Sequence, residues 1–208
     1  MLKKLGLLWK HRAAIRPLLS SHLSFLEGDG GADALGGLTD EETRGLVSWM
    51  REAAERFPER PIFEFGTLFG LTTQALADAA PDCTRIVTVD NFCWNPLGLP
   101  PDRHEAFTRR ILAPWIARGK VELVRADSAA FRASYDGPAP SMVFFDADHR
   151  YAAVKEELKW ARSLGVPVIC GHDYANPSPY FGVTQAVDEL FGKPGCVAGM
   201  CFKVENRA

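Results

Sequence analysis

Carboxylates recur at the ends of short apolar runs in this chain. Glu64 lies in PIFEF, Asp90 follows RIVTV, Asp146 follows SMVFF and Asp173 comes just after VPVIC. Asp127 lies a little beyond a fifth run, VELV, and is followed by Ser128. Two histidines accompany the last pair of acids, His149 three residues past Asp146 and His172 beside Asp173. A carboxylate can accept from sugar hydroxyls, attract a cationic ligand or hold a metal ion. An imidazole, with an ordinary pKa of ~6.5, can take the proton from a hydroxyl. Asp is also a common helix N-cap. Capping would explain Asp127 and Asp173, but not the whole series.

The loop EFGTLFGLTT (64–73) indicates which ligand is meant. Gly66 and Gly70 allow a tight turn and a close approach of backbone to ligand. A dinucleotide loop would need glycine where Leu68 stands, and the G-K-[ST] of a phosphate loop is absent. An acidic residue before the first glycine repels a phosphate and suits a cation, such as an amino group or a sulfonium. Asp90, at the end of the next run, is placed to accept from ribose hydroxyls. Together these features point to an adenosyl amino acid.

The elements that must hold these residues alternate. A capping box from Thr39 to Glu42 predicts a helix to about Phe57, with Leu46, Met50, Ala53 and Ala54 on its apolar face. Strands are expected at 61–65, 85–89, 121–124, 141–145 and 166–170. Helices are expected at 72–80, 105–118, 151–163 and 183–191, and a last strand region at 196–204. Strands joined by helical crossovers imply an α/β fold with a mostly parallel, doubly wound sheet and helices on both faces. The strands are near-continuous in apolar character, as a sheet covered on both sides requires. In such a sheet ligands bind beyond the carboxyl ends of the strands, where the acids gather. Residues 1–38 form an expected N-terminal helical extension and glycine-rich loop, ahead of one domain over 39–208.

The loop 64–70, with Asp90 after it, resembles the first cofactor motifs of class I S-adenosylmethionine-dependent methyltransferases, whose fold is Rossmann-like. FFDADHRYAAVKEELKWARSLGVPVICGHDY (144–174), followed by GVTQAVDELFG (182–192), resembles a branch of small-molecule O-methyltransferases that act on sugars and other hydroxylated metabolites. The resemblance spans about residues 60–192. It implies that Glu64, Gly66, Thr67 and Gly70 serve the amino-acid part of the cofactor. Asp90 and Asn91 would hold the ribose, and Asp127 and Ser128 would border the adenine. It also implies a divalent metal such as Mg²⁺ at Asp146 and Asp173. Relatives often carry two adjacent acids at the fifth strand, where this chain has His172 and Asp173, and a magnesium ion prefers oxygen ligands.

Methyl transfer to a hydroxyl is an in-line displacement that needs alignment and removal of a proton. His149 is the candidate base and Asp146 its catalytic companion; capping of the next helix is the alternative role for His149. His172 reads as a site-lining or structural residue and His104 as a surface one. Phe92 and Trp94 either stack on the ligand or form a cluster beneath their loop. Tyr174 and Tyr180 are expected on the acceptor side. A competing reading is a metal-dependent hydrolase that uses Asp146, Asp148, His149, His172 and Asp173, though it leaves the 64–70 loop and Asp90 unexplained.

The net charge of −2 argues against nucleic acid as a partner. Five cysteines without a C-x-x-C pair suggest a reducing, cytoplasmic setting. The N-terminal stretch is too interrupted by charge to span a bilayer, so no stable membrane insertion is expected. Its helix is the element through which a homodimer would form, and the expected partner of the site is a small-molecule acceptor.

Overall fold

The computed structural model describes residues 37–206. The expected N-terminal helix, its proposed part in dimer formation and most of the glycine-rich stretch lie outside the described residues.

Helix α1 (Asp40–Arg56) opens with the capping box. Thr39 Oγ1 accepts from Glu42 N–H, and Thr39 N–H donates to Glu42 Oε2 at 2.8 Å. A cap of this kind contributes about 1 kcal/mol to a helix. Then follow β1 (Ile62–Phe65), α2 (Leu71–Ala79), β2 (Ile86–Asp90), α3 (Pro101–Ile116) and β3 (Val121–Arg125). The chain continues through α4 (Ser128–Ser134), β4 (Met142–Phe145), α5 (Tyr151–Ser163) and β5 (Val168–Gly171), and ends with α6 (Val183–Phe191), β6 (Cys196–Ala198) and β7 (Cys201–Glu205). The seven strands lie in the order β3-β2-β1-β4-β5-β7-β6. β1 to β5 are mutually parallel, and β7 runs antiparallel to β5 and β6. This is a Rossmann-like sheet whose order reverses between β1 and β4, the place where ligands bind.

Three local departures from the sequence expectation have physical causes. Helix α3 begins at Pro101 rather than Glu105, because proline at the first helical position gives up an N–H that had no partner anyway. Helix α4 was not foreseen: it is one short segment started by Asp127, whose carboxylate accepts from Ala129 and Ala130 N–H. The expected last strand is a hairpin, turned by Gly199 in the left-handed region at φ 58°.

The alternation along the strands sorts the core into two layers. Ile62, Ile86, Met142 and Phe144 face α1, α2 and α3, where Leu46, Met50, Leu76 and Leu112 are buried. Phe63, Phe65, Val87, Val143 and Phe145 face the other side, against Val154, Leu158, Ala186 and Val187. Both layers are closely filled, and the larger cavity lies beyond the strand ends. No helix among the described residues is long and apolar enough to cross a membrane.

Candidate functional site

A cavity of about 1180 Å³ opens beyond the carboxyl ends of β1, β2, β4 and β5. It exceeds the roughly 300–1,000 Å³ usual for a single small ligand, so it has room for two. Gly66, Thr67, Asp90, Asn91, Asp127, Ser128, Asp146, His149 and Asp173, each expected from sequence, line it. Glu64 and Gly70 do not.

The floor is built from β1 and the turn after it. Gly66 has φ +96°, and a Cβ there would lie 2.2 Å from the carbonyl oxygen of Asp146. Any other residue would therefore push β1 and β4 apart at the point where the sheet order reverses. Gly70 caps α2 in the left-handed region. Its part is to turn the loop, with Leu112 packed against it. Glu64 lies one residue before the end of β1 and is fully buried on the α1–α3 side. Its Oε2 accepts from Thr73 Oγ1 and from Thr88 Oγ1 at 2.6 Å, whereas Oε1 is buried without a partner. Thr88 spends its proton on Glu64, so Thr67 is the donor in the 2.6 Å Thr67–Thr88 hydroxyl pair. Burial pushes the Glu64 carboxyl up to about 7; the two threonines oppose this, and Asp146 and Asp90 add to it. Glu64 thus sits under the floor as a poorly solvated acid.

Asp90 ties two loops together. Its Oδ2 accepts from Leu68 N–H at 2.8 Å and its Oδ1 from Phe92 N–H at 2.7 Å. Leu68 and Phe92 both have positive φ, at 47° and 59°, a costly conformation for side chains of this size. His104 explains how they are held. It is fully buried, with Nε2 3.0 Å from Leu68 O and Nδ1 3.4 Å from Phe92 O, and Thr108 Oγ1 donates to Leu68 O at 2.6 Å. The expectation of a surface His104 is therefore wrong: α3 begins earlier than its apolar spacing implied, which turns position 104 inward. Burial lowers its pKa, against the pull of Asp90. Phe92 is buried edge-on to His104 and belongs to the cluster beneath the loop. Trp94 is 71% exposed and stands at the cavity rim. Asn95, unremarked in the sequence, accepts from Leu97 and Leu99 N–H and donates to Leu99 O, giving the long loop its shape.

At the β3 end, Asp127 is exposed and already caps α4. Ser128 Oγ donates to Glu157 Oε1 at 2.8 Å, beside a buried Arg132–Glu157 ion pair at 2.9 Å. Ser128 and Asp127 therefore fix the wall through α4, and the exposed face of Asp127 is what remains open to a ligand.

The remaining end gathers the histidines. His149 Nδ1 lies 2.9 Å from Asp173 Oδ2, and the ring stacks on Phe181 with centroids 4.6 Å apart. Asp173 is itself left-handed at φ 61°, and its Oδ1 accepts from Asn176 Nδ2 at 2.6 Å, leaving Oδ2 to the imidazoles. His172 Nδ1 stands 3.6 Å from Asp146 Oδ1 and 3.5 Å from Asp173 Oδ2, while its Nε2 is 3.2 Å from Glu42 Oε1. Burial works against charge on both rings. The Asp173 hydrogen bond and the neighbouring acids outweigh it, raising His149 above its ordinary value and His172 to about 9. Burial lifts Asp146 to about 6 although the two imidazoles oppose it. Asp173 falls well below the carboxylate range, because its bonds to both rings overcome its burial. Tyr180 lines the cavity and is 84% exposed, whereas Tyr174 donates to Asp188 and does not line it.

Among the described residues Asp146, His149 and Asp173 bring ligand atoms within 4.8 Å of one another. The donor set does not fit Mg²⁺, which demands oxygen ligands, because two imidazoles crowd the two carboxylates. The five-residue set needed by a hydrolase is not assembled either. Asp148 turns to Arg150, accepting from its backbone N–H at 2.9 Å and pairing with its guanidinium.

A family model described as Methyltransferase domain matches residues 63–174, more than half of the chain. No curated protein matches it. Among solved structures, a cofactor-bound protein from MTB superposes with a TM-score of 0.60 at 19% identity, over 92% of this chain and 91% of that one. A putative O-methyltransferase from Klebsiella pneumoniae gives 0.57 at 19% identity, over 94% and 97%. The O-methyltransferase TomG from Streptomyces achromogenes, involved in tomaymycin synthesis and solved in complex with SAM, gives 0.57 at 21% identity, over 85% and 74%. At these identities the likeness establishes a common fold.

Proposed function

The chain belongs to the methyltransferase-domain family matched over residues 63–174, and from that premise we propose that it moves the methyl group of S-adenosylmethionine (SAM) to a hydroxyl of a small molecule. The observation that carries this reading is that one cavity holds both the Asp90-tied loops and the His149–Asp173 pair. The first suits an adenosyl ligand and the second suits a hydroxyl that must lose its proton. TomG is described as an O-methyltransferase involved in tomaymycin synthesis, which supports a hydroxyl as the acceptor here.

The cofactor fits the residues present. Asp90 retains free lone pairs on both oxygens for the ribose hydroxyls, beside Asn91. Thr67 and the Gly66 turn face the amino-acid portion, and Asp127 and Ser128 border the adenine. When bound, SAM supplies an electrophilic methyl on a sulfonium. Asp173 holds the His149 Nδ1–H, so Nε2 is the basic nitrogen that takes the acceptor's proton, as in other histidine–aspartate pairs. Asp146 lies near both rings and orients the acceptor's oxygen. The family premise leaves the hydrolase reading without support. We place no step on a metal, since the imidazoles of His149 and His172 take up the Asp173 oxygen that faces the cavity. The acceptor side, with its exposed Trp94 and Tyr180, suits a compound with an apolar ring face. The setting proposed is a reducing, cytoplasmic one, on the odd number of cysteines and the lack of a C-x-x-C pair.

Calorimetric titration with S-adenosylhomocysteine (SAH), with and without Mg²⁺ or a strong chelator, tests the reading directly. Micromolar binding that ignores both additions is expected. Absence of binding would remove the cofactor assignment, and tighter binding with Mg²⁺ would return the metal to Asp146 and Asp173.

A second expectation arises from the two raised carboxyls. At pH 7 Glu64, with its pKa near 7, carries part of a proton, and Asp146, near 6, a smaller part. A sulfonium nearby stabilises their ionised forms, so SAM binding should release protons. SAH has a neutral thioether and should release fewer. Binding enthalpies measured in buffers of different ionisation enthalpy give both numbers. Equal release for the two ligands would place Glu64 and Asp146 outside the sulfonium's reach.

A further inference from the structure

Glu42 is a buried acid on α1, outside the span that the family model matches, and it lines the cavity with Thr39, His172 and Met200. As the third residue of a capping box it needs only one oxygen. Thr39 N–H and Oγ1 both donate to Oε2 at 2.8 Å. The other oxygen is used elsewhere: Oε1 accepts from Met200 N–H at 2.9 Å, in the β6–β7 turn, and from His172 Nε2 at 3.2 Å. Gly199 packs so closely here that a Cβ would lie 2.6 Å from Glu42 Cγ. Gly45, one turn along α1, lies equally tight on Ala198. Glu42 is therefore fixed from the helix start and from the hairpin, and it presents one oxygen to the imidazole.

The path runs on into the site. His172 Nδ1 faces Asp173 Oδ2 and Asp146 Oδ1, and Asp173 Oδ2 in turn holds His149 Nδ1. We propose that Glu42 is a positioning residue for methyl transfer: by holding His172 Nε2 it fixes the ring that braces Asp173, and so keeps the Asp173–His149 pair aligned. Without the Glu42 oxygen the His172 ring is free to turn about its χ2 torsion, and the Asp173 oxygen loses one of its two imidazole neighbours. The inference rests on the function proposed above, since it assumes that His149 is the base.

The test uses the SAH-saturated full chain and the imidazole nitrogens themselves. Long-range ¹H–¹⁵N correlation spectra distinguish the Nδ1–H from the Nε2–H tautomer of each histidine. At a pH above the His149 pKa, where the ring is neutral, the unmodified protein should show His149 with Nδ1–H alone. Glu42→Gln should shift the His172 nitrogens and move His149 to a mixture of tautomers, while His104, on the other side of the sheet order reversal, stays unchanged. Met50→Ala loosens α1 against the sheet two turns away and serves as the structural control. It should lower the melting temperature without moving the His149 signals. Identical His149 resonances in the unmodified protein and Glu42→Gln would overturn the proposal, as would an equal shift in Met50→Ala. If Glu42→Gln does not fold, His172→Asn tests the same link from its other end, and an unmoved His149 tautomer there overturns it as well. Failure of the protein to bind SAH is a separate outcome that removes the proposed function instead.

Discussion

Replacing His149 by alanine should lower kcat by about 10²–10⁴-fold, the usual worth of a positioned base, with affinity for SAH unchanged. The separation of effects follows from geometry. The His149 ring packs on Phe181 and, among the described residues, bonds to Asp173, so its removal leaves the Asp90 loops intact. Asp173→Asn should also be severe, because an amide can donate to Nδ1 and so leave the proton on Nε2, where the base must be bare. The pH profile carries the same signature. A base must be neutral, so activity should rise with pH through the His149 pKa, which lies above the ordinary imidazole value. Activity that is flat across that range, or full turnover in His149→Ala, would end the assignment and leave the histidine as part of the wall.

Asp90→Ala should weaken SAH binding by about 10²-fold or more. Hydrogen bonds to a charged group are worth about 1.5–3 kcal/mol each, and the substitution removes those to the ribose together with those to Leu68 and Phe92 N–H. Losing the latter two also frees a pair of loops held in the left-handed region, so the variant should melt at a lower temperature. Asp90→Asn separates the two effects. The amide keeps one acceptor oxygen for a loop N–H, yet offers the ribose only a neutral partner. Calorimetry on both variants, with melting curves alongside, gives the partition. Unchanged SAH affinity in Asp90→Ala would take this residue out of the ribose site and reduce it to a loop tie.

How far the sequence could be read depended on whether a residue acts through local or distant partners. The capping box at Thr39, the span of α5 and the five parallel strands follow from patterns a few residues long, and each stands where it was expected. Asp90 and Asp146 were legible because a polar residue that ends an apolar run has few places to go other than the strand's carboxyl end. Glu64 shows the limit of that logic. It too lies near a strand end, but one residue earlier, and side chains along a strand alternate between faces. That single step sends it to the α1–α3 side and under the cavity floor, where Thr73 and Thr88 meet it.

Asn95 was missed although its partners are local, whereas two other missed residues act across long separations. His104 reaches Leu68 and Phe92, and Glu42 reaches His172 and Met200. Neither carries a local sign of that role: His104 lies in an apparently polar helix start, and Glu42 is fully explained by its cap. By itself, then, the sequence determined the α/β class, the parallel order of elements and the gathering of acids at one end of the sheet. These rest on hydrophobic periodicity and on crossover connections, which are local. Only the tertiary structure decided which of those acids line the cavity, that Ser128 ties α4 to Glu157, and that His149 pairs with Asp173. Those outcomes depend on where separate elements pack to within an ångström or so, and that distance is set by the whole core and not by any one segment.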